Sequence, residues 1–245
     1  MAYETHANGS WFDETNLVAY YKLEDVNDSS VNGYTLTNIN TVTFVAGKFT
    51  NCALLVEASS KALHQTNATI GYTAPFTASF WYNPVSLPST GEYHMLLQFQ
   101  AAQATGVRFG MFLTNASGSQ VQMNLERLKS APTTSITSLA NITLSTGTWY
   151  HLVFLYDASY YCRCYLNGIL HSSTASGSNA VGDGTWDSHG PAVNIGAAWD
   201  GGASYNSFLD GKIDEMIIET RAWTAAEIAK YYENSKGQFL GQVAF

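Results

Sequence analysis

The residues best suited to chemistry gather between positions 182 and 207. Trp186, Asp187, His189, Trp199, Asp200, Tyr205 and Asn206 stand there among glycines. A sugar is recognised by flat rings that stack on its C–H faces and by Asp and Asn side chains that bond its hydroxyls. An irregular stretch of this kind reads as a loop site at one end of a scaffold. The competing reading is that Trp199 and Tyr205 simply pack against a rim. Catalytic signatures are missing from the sequence: there is no Ser-His-Asp order, no His-Glu-x-x-His and no Gly-rich phosphate loop. The six histidines are scattered. His151 falls in phase with Trp149 and Val153, which suits a strand residue with a satisfied ring better than a base. Asp214 falls in phase with Met216 and Ile218, so it is expected to face covered structure. A carboxylate buried in this way is costly unless it is paired or metal-bound.

The elements that must position these groups read as strands. Leu17 to Leu23 is apolar and is followed by the polar loop Glu24–Gly33. Residues 52–57, 76–82, 93–100 and 106–114 carry strand patterns. Val121, Met123 and Leu125 alternate with polar residues, as in a half-exposed strand. Residues 149–156 are apolar in both phases, which marks a central strand covered on both faces. Tyr161–Leu166 follows, and Asn167-Gly168 is a hairpin turn because both residues tolerate positive φ. Residues 191–198 and 208–219 are the last strands. One helix is expected. Thr224-Ala-Ala-Glu227 is a capping box, Ile228, Tyr231 and Tyr232 form an apolar stripe, and Lys236-Gly237 is a stop. Its expected role is a clasp over one edge. Cys162 and Cys164 share a strand face and, with Cys52, read as small buried apolar residues rather than a disulfide or zinc site. Many short strands between turn clusters, with 12% charged and 13% aromatic residues, give an all-β antiparallel sandwich of two sheets. Residues 16–238 form the domain, 1–15 an arm and 239–245 a tail.

Five segments, in one order across residues 17–235, resemble the laminin-G-like (concanavalin A-like lectin/glucanase) jelly-roll family. They are Leu17–Leu23 with Asp28-Ser-Ser-Val-Asn-Gly33, Phe76–Pro84, Gly147–Asp157, Tyr165–Gly168, and Phe208–Ile218 with Arg221–Ile228. The resemblance implies a jelly roll. It also implies a test for catalysis, because retaining glucanases of the family place Glu-x-Asp-x-Glu on one strand, with nucleophile and acid/base on one face. The nearest run here is Lys212-Ile213-Asp214-Glu215-Met216, with Lys212 and Met216 at the flanking acid positions. A binding module is therefore expected, and a divergent glycoside hydrolase is the weaker reading. The resemblance further implies a structural Ca2+ between the Asp28 loop and the closing strand, on Asp28, Asn32 and Asp214. Val31 replaces the family's first loop glycine. The alternative is an Asx turn that ties loop to strand without a metal.

The net charge of −8, with 11 Lys and Arg spread thinly, argues against nucleic acid as a partner. No apolar run is long enough to span a bilayer. The start, Met1-Ala-Tyr-Glu-Thr-His6, lacks the layout of a secretory signal peptide. The expected partners are a glycan or cell-surface polysaccharide, or other virion subunits, with a homo-oligomer as one option. The expected setting is extracellular or a phage virion, as a decoration, head-fibre or tail-associated adhesin. Trp11, Phe12 and the apolar tail are candidate docking segments there.

Overall fold

The computed structural model describes residues 14–66, 75–100, 108–117, 120–128, 134–159, 161–174, 192–200 and 204–237. In chain order the first strands are β1 (Leu17–Tyr21), β2 (Thr37–Ile39), β3 (Thr43–Ala46), β4 (Asn51–Leu55), β5 (Ala62–Gln65) and β6 (Phe76–Pro84). Then come β7 (Tyr93–Gln100), β8 (Arg108–Ser117), β9 (Gln120–Leu128), β10 (Thr134–Thr143), β11 (Tyr150–Tyr156) and β12 (Cys162–Leu166). The last are β13 (Ile169–Thr174), β14 (Ala192–Ile195), β15 (Ala198–Trp199), β16 (Tyr205–Asn206) and β17 (Gly211–Glu219), before helix α1 (Ala225–Ser235).

Two large antiparallel sheets result. One has the order β13-β12-β11-β6-β17-β4-β3, with β1 also on β17; the other has the order β10-β9-β8-β7-β14-β5-β2. Their inner faces share one core. Leu55, Phe80, Leu152, Phe154 and Ile213 of the first sheet meet Leu63, Leu97, Phe109, Met111, Val193 and Ile195 of the second. Phe76 sets its ring edge-on to Phe109 at 4.9 Å and to Phe99 at 6.1 Å, the T-shaped contact that aromatic quadrupoles favour. Cys162 and Cys164 sit in this core and Cys52 is buried as well, none of the three in a disulfide.

The central strand expected at 149–156 is β11. Leu152, Phe154 and Tyr156 face the core. Val153 and Leu155 face outward into a second apolar cluster with Trp223 and Ile228. Helix α1 therefore covers a sheet face, not an edge, which corrects the expected clasp. Its apolar stripe needs a flat apolar surface, and β11, β12 and β17 supply one through Val153, Tyr165 and Ile217. The capping box is present: Thr224 Oγ1 accepts from Glu227 N, and Glu227 accepts from Thr224 N at 2.7 Å. At the other end, the buried Lys48 Nζ donates to the carbonyls of Ser235 (3.3 Å) and Lys236 (2.8 Å). It also lies 4.7 Å from the Trp81 ring centroid. A cation at a helix C-terminus offsets the negative end of the dipole.

Under the helix, His151 Nε2 bonds Ser79 Oγ at 2.8 Å, while Nδ1 is buried without a partner. The ring is thus half satisfied. Burial lowers its pKa to about 3, so it stays neutral. Asn167 and Gly168 take φ of 52° and 79°, as their hairpin turn requires.

Strand β17 changes partners midway. Gly211–Ile213 pair with β4 and Met216–Glu219 with β1. Between them the register slips and Glu215 takes φ 52°. This bulge puts Asp214 and Glu215 side by side where two strands meet a third.

Candidate functional site

The outer face of the second sheet carries a polar row set by strand register. His64 on β5 lies opposite Asn194 on β14, Asn194 opposite Gln98 on β7, and Gln98 opposite Gly110 on β8. Their flanking residues Leu63, Val193, Ile195, Leu97, Phe99, Phe109 and Met111 all point into the core, so strand alternation sends the row outward. The side chains bond along the row. His64 Nδ1 donates to Asn194 Oδ1, and Asn194 Nδ2 donates to Gln98 Oε1 at 3.1 Å. Gln98 Oε1 also accepts from the backbone N–H of Trp199 at 2.7 Å. Gln98 Nε2 is buried with no hydrogen-bond partner. The next position in the row is Gly110, where there is no side chain to meet it.

Above the row lies the small hairpin of β15 and β16, in which Trp199 pairs with Tyr205. His64 meets Trp199 edge-on at 4.8 Å and Tyr205 at 5.7 Å between ring centroids. Burial holds the His64 pKa below its usual value, with the Asn194 bond opposing, and raises that of Tyr205. Met95, Phe112 and Ala198 form an apolar patch beside the row. Among the described residues no helix lies on this face.

The aromatic cluster expected from sequence divides. Trp199 is only 7% exposed and is held by Gln98 and His64. It acts as a roof over the row and offers no free face to a sugar, which corrects its expected role as a stacking platform. Tyr205 is half-buried, and Asp200 and Asn206 are exposed beside it. Trp186, Asp187 and His189 lie outside the described residues, as do Trp11, Phe12 and the tail 239–245. The row itself was missed. Its signal is an amide or imidazole in the inward-outward alternation of an apolar strand, as in Leu96-Leu97-Gln98-Phe99 and Ala192-Val193-Asn194-Ile195.

The expected calcium residues are bonded to different segments. Asp28 Oδ1 accepts from Tyr20 N (2.9 Å) and Ser30 N (2.8 Å), and Oδ2 from Ser30 Oγ (2.7 Å) and Tyr34 N (2.9 Å). Asn32 turns its Nδ2 to the carbonyls of Leu17 (3.1 Å) and Val18 (2.9 Å). Asp214 Oδ2 accepts from Lys48 N (2.8 Å) and Phe49 N (3.3 Å), and its Oδ1 is buried without a partner. A calcium ion on the loop would displace donors that tie it to β1, so the residues as bonded do not fit a calcium cage.

Asp214 and Glu215 are the carboxylates nearest to a catalytic pair. Burial first raises both pKa values to about 7. Tyr20 Oη donates to Glu215. Asp214 is held by the 47–49 turn, and the half-buried Glu215 by Tyr20.

A laminin G family model, described as the Concanavalin A-like lectin/glucanases superfamily, matches residues 56–229. That is well over half of the 245 residues. The chain belongs to this superfamily. No curated protein matches this lectin/glucanase member in sequence. Among solved structures it is similar to the binding domain of Paraclostridial Mosquitocidal Protein 1, with TM-score 0.63, 16% identity, and 91% of this chain covering 53% of that one. It is also similar to the receptor binding domain of botulinum neurotoxin mosaic serotype C/D, with TM-score 0.61, 16% identity, and coverages of 90% and 51%. A third is the botulinum neurotoxin serotype D ligand binding domain in complex with N-acetylneuraminic acid, with TM-score 0.60, 13% identity, and coverages of 90% and 51%. The chain spans about half the length of these structures, and at such identities the likeness is one of fold.

Proposed function

We propose that this lectin/glucanase-superfamily domain is a non-catalytic module that binds carbohydrate, on the outer face of the second sheet beside the β15–β16 hairpin. The observation that carries the reading is the buried donor Gln98 Nε2. It has no partner, and it stands beside the side-chain-free position of Gly110 in a hydrogen-bonded polar row. An unmet amide donor inside a protein costs on the order of 1–3 kcal/mol, and a ligand hydroxyl that reaches it by displacing the Trp199 roof would recover it. Tyr205, Asp200 and Asn206 at the hairpin supply a ring and polar groups at the rim. The serotype D complex with N-acetylneuraminic acid adds a precedent of fold.

Binding to a glycan array, followed by titration of a positive glycan, tests this. Tyr205→Ala and the double variant Asp200→Ala, Asn206→Ala should weaken binding about tenfold or more, with melting temperatures near wild type. Equal binding by all three proteins would remove the site. Measurable polysaccharide cleavage would favour a hydrolase instead. In this reading the module serves a particle or cell surface, such as a phage decoration or tail-associated adhesin. Capsid and tail genes beside its own would support that setting.

The Asp28 loop, in the same reading, is an Asx-type tie that needs no metal. The melting temperature should therefore stay within about 1 °C when Ca2+ is added or EGTA removes it. A calcium-dependent rise of several degrees would show that the loop turns its oxygens to an ion.

A further inference from the structure

At one end of the sandwich, away from the polar row, three ligand-type side chains converge. His94 lies near the start of β7 and is fully buried. Glu57 lies on the 3-10 turn Glu57–Ser59, which leaves β4 of the first sheet and leads to β5 of the second. Glu92 lies in the turn just before β7, where its carboxylate accepts from Ser89 N at 2.8 Å. One ligand atom from each of the three lies within 4.8 Å of the others.

The imidazole is the unusual member. Neither of its ring nitrogens has a hydrogen-bond partner. Nε2 points at Glu57 Oε2 from 3.5 Å. That separation is too long for a normal hydrogen bond. It is close to the ~3.4 Å expected between two ligands that each sit ~2.1 Å from one zinc at a tetrahedral angle. The neutral imidazole is the form that ligates a metal.

We propose that Glu57, Glu92 and His94 form a binding site for a divalent transition metal of the zinc type. One imidazole and two carboxylates make a mixed N,O set whose two negative charges match a dication. The nitrogen ligand sets it apart from an all-oxygen calcium cage. His94 forms the buried floor, and the Glu57 side chain, 42% exposed, leaves an entry from solvent. Closing onto one ion requires the exposed Glu92 carboxylate to move by on the order of 1 Å. The ion would clip the crossover between the two sheets to β7. Three protein ligands leave a further position for water or an outside ligand.

The test uses the full chain, stripped with a chelator and titrated with ZnCl2 by calorimetry, with metal content measured after gel filtration. One equivalent should bind and raise the melting temperature. Glu57→Gln, Glu92→Gln and His94→Asn should each weaken binding about tenfold or more. Should His94→Asn fail to fold, the two glutamine variants at partly exposed positions carry the test. No retained zinc would overturn the proposal. Retention equal to wild type in the glutamine variants would also overturn it, by assigning the ion to other histidines. Neither result bears on glycan binding, which uses a different face.

Discussion

Gly196→Ala should lower the melting temperature by roughly 10 °C and disturb the ligand face with it. Gly196 follows β14 and takes φ 79°, a left-handed conformation that costs an alanine about 1–2 kcal/mol. A Cβ there would lie 2.5 Å and 2.9 Å from the two methyls of Leu55, which is wholly buried in the core. Leu55 cannot swing away without overpacking its neighbours, at a further cost of about 1–3 kcal/mol. The sum is about 3 kcal/mol, and a domain of this size loses roughly 2–4 °C per kcal/mol. The backbone of Gly196 also bonds Leu96 O at 3.2 Å and accepts from Leu209 N at 2.8 Å, fixing the path into β15 and Trp199. Thermal unfolding measures the first effect and glycan titration the second. If the clash is the cause, adding Leu55→Ala to Gly196→Ala costs less than the sum of the single changes. A loss under 2 °C for Gly196→Ala would show that the core yields more easily than its packing implies.

Asp214→Asn should stabilise the protein at pH 8 and not at pH 5. Burial is the main cause of the raised Asp214 pKa of about 7, and the Glu215 charge adds to it. The N–H groups of Lys48, Phe49 and Glu215 pull the other way. Tyr20, Tyr231, Cys52 and Lys48 are the other titratable groups that interact with it. The folded protein therefore holds a proton that the unfolded chain releases in the acid range. That contribution is fully present below the unfolded pKa and is lost as pH rises through about 7. At pH 8 the wild type carries a buried charge, whereas Asn keeps the carbonyl oxygen for Lys48 N and Phe49 N without it. The expected gain at pH 8 is about 2–4 kcal/mol, or roughly 5–10 °C. The comparison with wild type at each pH cancels His151, His64 and His94. Their lowered pKa values act with the opposite sign, removing stability as pH falls. A melting-temperature difference that does not change with pH would contradict the assignment.

The fold was legible because its signals are local. Alternation in β9, two-sided apolarity in β11, Asn167-Gly168 and the Thr224–Glu227 box each name an element without reference to the rest. The short strands β2, β3 and β5 were not legible, because three or four residues carry too little periodicity. The helix was placed at an edge because its stripe shows that it covers something, while only the sheet order shows that β11, β12 and β17 form that surface. The candidate face was half legible. Asp200, Tyr205 and Asn206 were found by composition, but Trp199 carries the same signal and points inward. The row of His64, Asn194 and Gln98 joins positions 130 and 96 residues apart through register alone. The same holds for Glu57 and His94, which come from a turn and a strand that only the folded chain brings together.

A structure of the domain bound to a glycan that it recognises is the most direct measurement. The sugar is expected on the outer face of the second sheet, with a hydroxyl accepting from Gln98 Nε2 beside Gly110 and the ring of Tyr205 or the carboxylate of Asp200 in contact. A sugar seated on the helix-covered sheet or at the ends of the sandwich, with Gln98 Nε2 still unmet, would contradict it.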